Sequence, residues 1–208
     1  YLKTAVVSMY AKCGAFAKAR RVLDEIPLRT VVSWNALIGG YVQHGLGNEA
    51  LNCFERMQDE GISPDTITFI CILQAFSIMG SLELGEDEIV IKIHKKWLLE
   101  KDGVLGTAMI DMYTKCHMMN KAREIFNELP DRDVVAWTTL MAGYAEHGLD
   151  EESLLCLHKM RMDGISPNEI SLACSLKACS NIENGQEIHS QIVLHAFDRD
   201  VFIANSLV

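Results

Sequence analysis

The chain has 208 residues, of which 49% are hydrophobic, and a formal net charge of -9 at pH 7. This length and apolar content are enough for a sizeable core, so the composition excludes a disordered or low-complexity protein. The net negative charge excludes a surface that is positively charged throughout and attracts nucleic acid at every point. A groove can nevertheless be locally basic on an acidic body. No apolar run approaches the ~18 residues of a membrane span, so we predict no membrane partner.

An internal repeat relates two parts of the chain. VVSWNALIGGYVQHG at 31–45 returns as VVAWTTLMAGYAEHG at 134–148, an offset of 134 minus 31, or 103 residues. Aligning residues 1–77 with 104–180 at that offset gives 35 identities in 77 positions. A fixed internal period is the signature of a repeat architecture.

Smaller units lie within this offset. In chain order, the first closes with DEIPLRT, the second with MQDEGISPD and the third with LLEKD, and a second set of three follows with similar closing turns. These endings predict six units and the start of a seventh, namely residues 1–30, 31–65, 66–102, 103–133, 134–168, 169–200 and 201–208.

The apolar residues within a unit have helical spacing. Trp34, Leu37, Ile38 and Tyr41 follow the i, i+3, i+4, i+7 pattern of one helix face, and a glycine-containing break follows them. A second stripe comes after the break, formed by Ala50, Leu51, Phe54 and Met57. One helical hairpin cannot bury its own apolar face, but stacked hairpins can. The sequence therefore predicts an all-α fold, an α-α superhelical solenoid of stacked helix-turn-helix repeats with almost no strand.

The cysteine and histidine patterns argue against a metal centre or an enzyme. Six of the seven cysteines form three pairs of equivalent positions at the 103-residue offset. No CxxC occurs, and no His–Cys group has zinc spacing. We therefore predict buried thiols in a reducing compartment, with no metal and no cofactor. His44 and His147 recur in HGL turns, as a turn residue does and a catalytic residue need not. We predict a non-enzyme without catalytic residues.

These units resemble pentatricopeptide repeats of the plant PLS class, in which short, standard and long motifs alternate. MYAKCG and MYTKCH, with EIP and ELP closing the same units, resemble short motifs. Standard motifs are resembled by the two segments that begin VVSW and VVAW, which close with GISPD and GISPN. Long motifs are resembled by TITFICILQAFSIMGSLELG and by ACSNIENGQEIH. The resemblance covers essentially the whole chain and implies a fragment of a longer array.

The resemblance implies binding of single-stranded RNA with one nucleotide per repeat. Two side chains read each base: the fifth residue of the first helix and the last residue of the same motif. Carried onto this chain, these residues are Thr4 with Thr30, Asn35 with Asp65, Thr107 with Asp133, Thr138 with Asn168, and Asn205 alone. Asn both donates and accepts hydrogen bonds, Asp only accepts, and Thr does either. By the family's code the predicted target is 5′-N-U-N-G-A-N-Y-3′, where Y is a pyrimidine.

Other positions carry weaker expectations. Thr4 with Thr30 departs from the usual ending of a short motif, so we expect little selectivity there. The long motifs place Ile70 and Ala173 fifth, with Asp102 and Asp200 last, and apolar side chains cannot read a base edge. The second residue of each motif is expected to flank the bases, namely Tyr1, Val32, Ile67, Val104, Val135, Ile170 and Phe202.

Each assignment has a structural alternative. The flanking residues could be ordinary packing residues at helix starts. Asn35, Thr107 and Thr138 could cap helices, and so could Asp65, Asp133 and Asn168, each of which directly precedes a predicted helix. Capping and base recognition can coexist in the same side chain.

The resemblance also implies a cellular setting. It points to the recognition module of an RNA editing or processing factor in a plastid or mitochondrion, with any targeting segment outside this fragment. Multiple organellar RNA editing factors are the implied protein partners, docking on the long motifs 66–102 and 169–200. The alternative function is a protein-binding helical-repeat scaffold, favoured by the acidic charge and by the apolar fifth residues of the long motifs.

Overall fold

The computed structural model describes residues 2–80, 88–179, 185, 186, 188–190 and 192. The backbone forms two compact units, residues 1–108 and 109–208. Every helix or strand that the described residues form is an α-helix. The all-α prediction is therefore confirmed, and helical hairpins occur in both of the compact units.

The first unit stacks helical hairpins. Within it, α1 packs on both α2 and α3, α3 packs on α4 and α5, and α4 packs on α5. The first helices α1 and α3 therefore each touch the second helix of their own hairpin and the first helix of the next hairpin. The helices are α1 (Leu2–Lys12), α2 (Phe16–Asp24), α3 (Val31–Gln43), α4 (Gly47–Asp59), α5 (Thr66–Met79), α6 (Glu88–Glu100) and the beginning of α7 (Gly103–Lys115).

The second unit repeats this arrangement. Here α9 packs on α8, α10 and α11, and α10 packs on α11. The central first helix is again surrounded by its hairpin partner and by the helices of neighbouring hairpins. The helices are the end of α7, α8 (Met119–Glu128), α9 (Val134–Glu146), α10 (Asp150–Met162) and α11 (Glu169–Lys177).

The predicted apolar stripes form the core, with one exception. Trp34, Leu37, Ile38 and Tyr41 of α3 are all at most 1% exposed. On α4 the residues Ala50, Phe54 and Met57 are buried as predicted, but Leu51 is only half-buried and Cys53 takes its place. The helical period was read correctly, and the buried face of α4 is rotated slightly from the predicted one.

A glycine at the same position of α3 and α9 allows close helix contact. A Cβ added at Gly40 would overlap the Cβ of Ala11 on α1 and lie 3.2 Å from the Ala11 Cα. A Cβ added at Gly143 would overlap the Thr114 side chain, 2.7 Å from its Cβ. The recurrence of this glycine in the sequence is therefore explained by packing, because no larger residue fits the contact.

The turn after α1 and the turn after α7 differ in one residue. Gly14 has φ of 71°, in the left-handed region, and its counterpart His117 has φ of 61°. That conformation is unfavourable for a residue with a Cβ. The His117 ring contacts the His147 ring at an interplanar angle of 54°, with ring centroids 4.5 Å apart. His147 ends α9 and hydrogen-bonds through Nε2 with the Thr114 carbonyl at 2.6 Å, which is a turn role.

The seven cysteines are free thiols. Burial raises the pKa of Cys53, Cys116 and Cys156 to about 11, so these thiols stay protonated and pack as small apolar groups. The prediction of buried thiols is wrong for Cys13, which is exposed although its counterpart Cys116 is buried, and Cys71 and its counterpart Cys174 are only half-buried. In the part of the chain that the structure describes, no three His, Cys, Asp or Glu side chains group as metal ligands.

The helices are short compared with a bilayer. None of those formed by the described residues combines the length and the apolar content that crossing a membrane requires.

Candidate nucleic-acid interface

The predicted last residues of the motifs sit at helix starts and cap them. Asp65 Oδ1 accepts a hydrogen bond from the Thr68 backbone N–H at 2.8 Å. Asp133 Oδ1 accepts from the Ala136 N–H and Asn168 Oδ1 from the Ser171 N–H, both at 2.9 Å. The capping alternative is therefore correct for all three residues, since each satisfies an N–H that the helix leaves unpaired.

Two further motif ends also lie directly before helices, and of these only Asp102 caps with its side chain. Thr30 is the exposed residue before α3, and its backbone N–H donates to Ser33 Oγ at 3.0 Å. Asp102 Oδ1 accepts from the backbone N–H groups of Val104 and Leu105, at 2.8 and 3.0 Å. This cap at Asp102 was not predicted from the sequence. The signal was available, because an Asp directly before an apolar helical segment is a strong capping pattern.

Asn35 and Asp65, the predicted pair of the first standard motif, are in direct contact. Asn35 Nδ2 donates to Asp65 Oδ1 at 2.9 Å. The Thr68 hydroxyl lies 2.7 Å from Asn35 Oδ1 and 2.8 Å from Asp65 Oδ1 and donates to one or the other. Thr68 is fully buried, whereas Asn35 and Asp65 are half-buried. The pair is therefore held by a third side chain from the protein core.

The hydrogen bonds also fix the charge of Asp65. Burial on its own would raise the pKa of this carboxyl. The bonds from the Thr68 backbone N–H, from Asn35 and from the Thr68 hydroxyl outweigh burial, and the pKa is lowered. The bonds from the Asn35 amide and from the Thr68 backbone N–H both end on Oδ1, which also lies 2.8 Å from the Thr68 hydroxyl.

Thr138 and Asn168, the equivalent pair of the second standard motif, are arranged differently. The Thr138 side chain is only 6% exposed, and its hydroxyl lies 2.8 Å from the Val134 carbonyl and 3.0 Å from the Val135 carbonyl. Within the described parts of the chain no hydrogen bond joins Thr138 to Asn168. The two predicted partners act separately, one on its own helix backbone and the other as a cap.

The fifth-position residues do not cap helices. The Thr107 hydroxyl donates to the Gly103 carbonyl at 2.9 Å, four residues back, as Thr138 does to Val134. Asn35 bonds across to Asp65. The capping alternative is therefore wrong for these three, because a cap accepts from an N–H and these side chains donate.

The remaining predicted pair residues add little. Thr4 is half-buried on α1, and among the described residues no hydrogen bond joins it to Thr30. Tyr1, Phe202 and Asn205, and the last residue of the second long motif, Asp200, lie outside the described residues.

Five apolar side chains stand exposed at the helix starts. Each is the second residue of its motif and follows a capping position by two residues. The packing alternative is wrong for all five, because between 48% and 67% of each residue remains open to solvent. They are Val32 at 62%, Ile67 at 60%, Val104 at 67%, Val135 at 53% and Ile170 at 48%.

The arginines that directly precede Thr30 and Asp133 each lie beside an acid. Arg29 precedes Thr30, and its Nε donates to Glu60 Oε2 at 2.6 Å. This hydrogen bond is the main reason why the pKa of Arg29 is raised. Arg132 precedes Asp133, and its Nη1 lies 4.0 Å from Asp163 Oδ2. The site therefore offers apolar surface and hydrogen-bonding groups more than positive charge.

Family models match much of the chain. A PPR repeat family model matches residues 29–77, and a PPR repeat model matches 107–134 and 135–165. The chain belongs to the pentatricopeptide repeat family. Its two adjacent repeat matches meet at residues 134 and 135, which is the beginning of α9.

Named pentatricopeptide repeat proteins of Arabidopsis thaliana align along the chain. A putative pentatricopeptide repeat-containing protein, named mitochondrial, is 36% identical over 100% of this chain and 33% of its own length. A second, named chloroplastic, is 32% identical over 100% of this chain and 25% of its own length. This chain thus spans between a quarter and a third of these two relatives.

Two solved structures of the pentatricopeptide repeat protein PPR10 are also similar. The crystal structure of PPR10 from maize has a TM-score of 0.49 and 18% identity, covering 99% of this chain and 35% of that one. PPR10 in complex with an 18-nt psaJ RNA element has a TM-score of 0.42 and 16% identity, covering 99% of this chain and 42% of that one.

Proposed function

We propose that this chain binds single-stranded RNA, one nucleotide per repeat, and selects bases through the polar pair at each helix start. The proposed pairs are Asn35 with Asp65, Thr107 with Asp133 and Thr138 with Asn168, and the proposed target is 5′-N-U-N-G-A-N-Y-3′. Thr4 with Thr30 contributes little, and Asn205 selects the final pyrimidine. The chain carries out recognition and no chemistry of its own.

One observation carries the proposal: an exposed apolar side chain lies two residues after a polar capping position at five successive first helices. Exposed apolar residues scattered singly need no explanation, but a row at one repeat position does. Unstacked bases are bound through their faces by apolar or aromatic side chains and through their edges by hydrogen bonds. The apolar row supplies the first kind of contact and the polar pairs supply the second.

The geometry favours the uridine position as the most selective. Asn35 is held by Asp65 and Thr68, so its amide is oriented before RNA arrives and loses little freedom on binding. Thr107 and Thr138 direct their hydroxyl protons to backbone carbonyls instead. We therefore expect weaker discrimination at the guanosine and adenosine positions, where Asp133 and Asn168 supply most of the contact.

The acidic body has a consequence for affinity. Phosphate contacts made by Lys and Arg dominate most nucleic-acid binding and make it depend on salt. This chain carries 19 such residues against 28 acids, and the two arginines beside the pair positions already face carboxylates. We therefore expect affinity in the micromolar range, with a shallow salt dependence.

The proposal includes the setting that the family resemblance implies. We propose that the array is of the PLS class and serves an RNA editing or processing factor in a plastid or mitochondrion. Relatives named mitochondrial and chloroplastic support this setting. Multiple organellar RNA editing factors are the proposed protein partners, on the long motifs 66–102 and 169–200. In the first of these, Leu98 and Leu99 are 46% and 88% exposed.

The test is a fluorescence-anisotropy titration at fixed moderate salt. One RNA carries the proposed target, and three others change the U, the G or the A. Asn168→Asp is expected to move the preference at the fifth base from A to G, because a carboxylate matches the guanine N–H donors. Asp65→Asn is expected to remove the preference for U.

Asp102→Asn is the matched control. It makes the same chemical change at the same capping position, but its motif has Ile70 fifth and is expected to be unselective. Loss of the preference for U in Asp102→Asn as well as in Asp65→Asn would show that the effect does not depend on the pair of Asn35 with Asp65. Failure to bind any of the RNAs at low salt would favour the protein-binding scaffold.

A further inference from the structure

A cavity in the second unit lies away from the proposed RNA contacts. It has a volume of about 390 Å³ and opens between α8 and α10, with α9 as its floor. None of its lining residues is one of the proposed pair or flanking residues. We name it the α8–α10 cavity; its lining includes Arg123, Phe126, Trp137, Leu155, Lys159 and Met162.

The same place in the first unit is covered by the protein itself. The Arg56 guanidinium lies 5.4 Å from the centre of the Trp34 ring, over its face. Arg56 Nη2 also lies 3.1 Å from Asp24 Oδ1. An arginine of α4 and an aspartate of α2 thus close over the indole of α3.

The second unit has lost this ion pair. At the 103-residue offset, Arg56 becomes Lys159 and Asp24 becomes Asn127, which cannot form an ion pair. Lys159 is exposed, and no described acid lies within ion-pair distance of it. Lysine also lacks the planar guanidinium that stacks on aromatic faces. The side chain of Trp137 therefore lines an open cavity where that of Trp34 lies beneath an arginine.

The rim has become apolar at the same time. Asn52 of the first unit corresponds to Leu155, and Asp59 corresponds to Met162. Leu155 is 50% exposed and Met162 is 75% exposed. Four changes between the copies therefore act in one direction: two remove the covering ion pair and two replace polar side chains by exposed apolar ones.

The lining indicates the chemistry of a ligand. Phe126 packs edge-on against Trp137, with ring centroids 4.6 Å apart, so the interior is aromatic. Burial raises the pKa of Cys156 to about 11, so this lining residue is a neutral thiol. The charged lining residues comprise three cations and two acids, which leaves one positive charge in excess; they are Arg123, Arg132, Lys159, Glu152 and Asp163.

A buried donor lies in the same wall. Trp137 is 3% exposed, and its indole N–H has no hydrogen-bond partner among the described residues, which is also true of Trp34 in the first unit. We infer that the α8–α10 cavity is a binding site for a small aromatic anion, whose ring packs among Phe126, Trp137, Leu155 and Met162 and whose charged group faces Lys159 and Arg123. The size and the mixture of apolar walls with a few polar groups are those of small-molecule sites. The cavity contains none of the proposed pair residues, although Arg132 directly precedes Asp133 and Trp137 directly precedes Thr138.

The experiment titrates the 208-residue chain with 8-anilinonaphthalene-1-sulfonate, an aromatic anion. Binding is followed by dye fluorescence and by the indole N–H signals of ¹⁵N-tryptophan-labelled protein. The chain has three tryptophans, and the indole N–H of Trp97 donates to the Asp102 carbonyl. We expect one site with a dissociation constant of about 10–100 μM, as for a ligand of this size, and a shift of the Trp137 signal alone.

Variants that restore the first unit's residues test the assignment. Asn127→Asp with Lys159→Arg is expected to weaken binding by at least about tenfold, because it rebuilds the covering ion pair. The matched control is Asp24→Asn with Arg56→Lys, which leaves the response of Trp137 unchanged. Leu155→Asn with Met162→Asp changes only exposed side chains and is also expected to weaken binding, whether or not the first variant folds.

An uncharged analogue, N-phenyl-1-naphthylamine, tests the need for a negative charge and is expected to bind more weakly. Three results would overturn the proposal: equal binding of the two dyes, equal shifts of all three indole signals, or unchanged affinity after the ion pair is restored. Absence of any dye binding to the unaltered chain would overturn it as well.

Discussion

The two standard motifs, residues 31–65 and 134–168, differ in how their polar pairs are held. Asn35 and Asp65 bond directly and share a buried threonine, whereas Thr138 turns back to its helix and Asn168 caps the next one alone. The helices that carry these residues are equivalent in length and cap position. The position in the repeat therefore fixes where on the helix a side chain is attached. The residue type at that position determines which hydrogen bonds the side chain makes.

The largest expected effect tests what the two motifs have in common. Gly40→Ala is expected to destabilise the chain by about 2 kcal/mol, because the added Cβ would overlap Ala11 and lie close to the backbone of α1. Thermal and urea unfolding followed by circular dichroism would measure it.

Gly39→Ala is the control for this change. Its Cβ meets only Cys71 Sγ at 3.8 Å, an ordinary contact, so the variant is expected to gain up to about 1 kcal/mol from helix propensity. Equal effects of the two substitutions would show that helix propensity, rather than the close contact of α3 with α1, explains the glycine.

The second prediction separates the two caps. Asp65→Ala is expected to cost about 2 kcal/mol, because the helix loses its cap and Asn35 loses its partner. Asn168→Ala is expected to cost about 1 kcal/mol, since only a cap is lost. Both are measured by urea unfolding. If Asn168→Ala proved as costly as Asp65→Ala, the link between Asn35 and Asp65 would contribute nothing to stability.

The third prediction concerns how the stability of the fold changes at low pH. The folded-state pKa of Asp65 is lowered from the ordinary value of 3.8, so its contribution to stability is present above that value. The contribution is lost as pH falls from about 3.8 through the folded-state pKa. Asp65→Asn is therefore expected to lose less stability than the unaltered chain between pH 5 and pH 3, measured as the urea midpoint at each pH. Parallel curves for the two proteins would contradict the expected shift.

The smallest expected effect concerns the turn. Gly14→Ala is expected to cost about 1 kcal/mol, because φ of 71° disfavours a Cβ. His117→Gly is expected to gain less than about 1 kcal/mol, since relief at φ of 61° is offset by loss of the contact with His147. Melting temperatures of both variants would be compared. A loss of stability in His117→Gly would show that the ring contact outweighs the backbone strain.

Much of the fold followed from periodicity in the sequence. The 103-residue offset and the i, i+3, i+4, i+7 spacing identified hairpins and most core residues, because burial of one helix face imposes that spacing. Leu51 was wrongly predicted to be buried, since Cys53 is buried in its place. Cys13 was wrongly predicted to be buried like Cys116. The spacing of apolar residues indicates which face of a helix is buried. How much of each side chain is buried depends on the residues that pack around it.

The candidate site was harder to read from sequence. Caps at Asp65, Asp133 and Asn168 were foreseen, since capping depends on a local pattern. The burial of Thr138 was not, because it depends on which neighbouring helix packs beside it, and for Val32 and Ile67 the sequence left base-flanking and packing roles both open. The α8–α10 cavity results from changes at four positions on three helices whose proximity only the fold reveals.

The caps limit how this recognition surface could be rewritten. Asp65, Asp102, Asp133 and Asn168 each begin a helix by accepting an N–H bond, whatever else they contact. Only a short alphabet of side chains, chiefly Asp, Asn, Ser and Thr, does this well. Engineering of the array for a new RNA target would thus be limited to a few residue types at the last residue of a motif. The fifth residue could be varied more freely, because no helix start depends on its side chain.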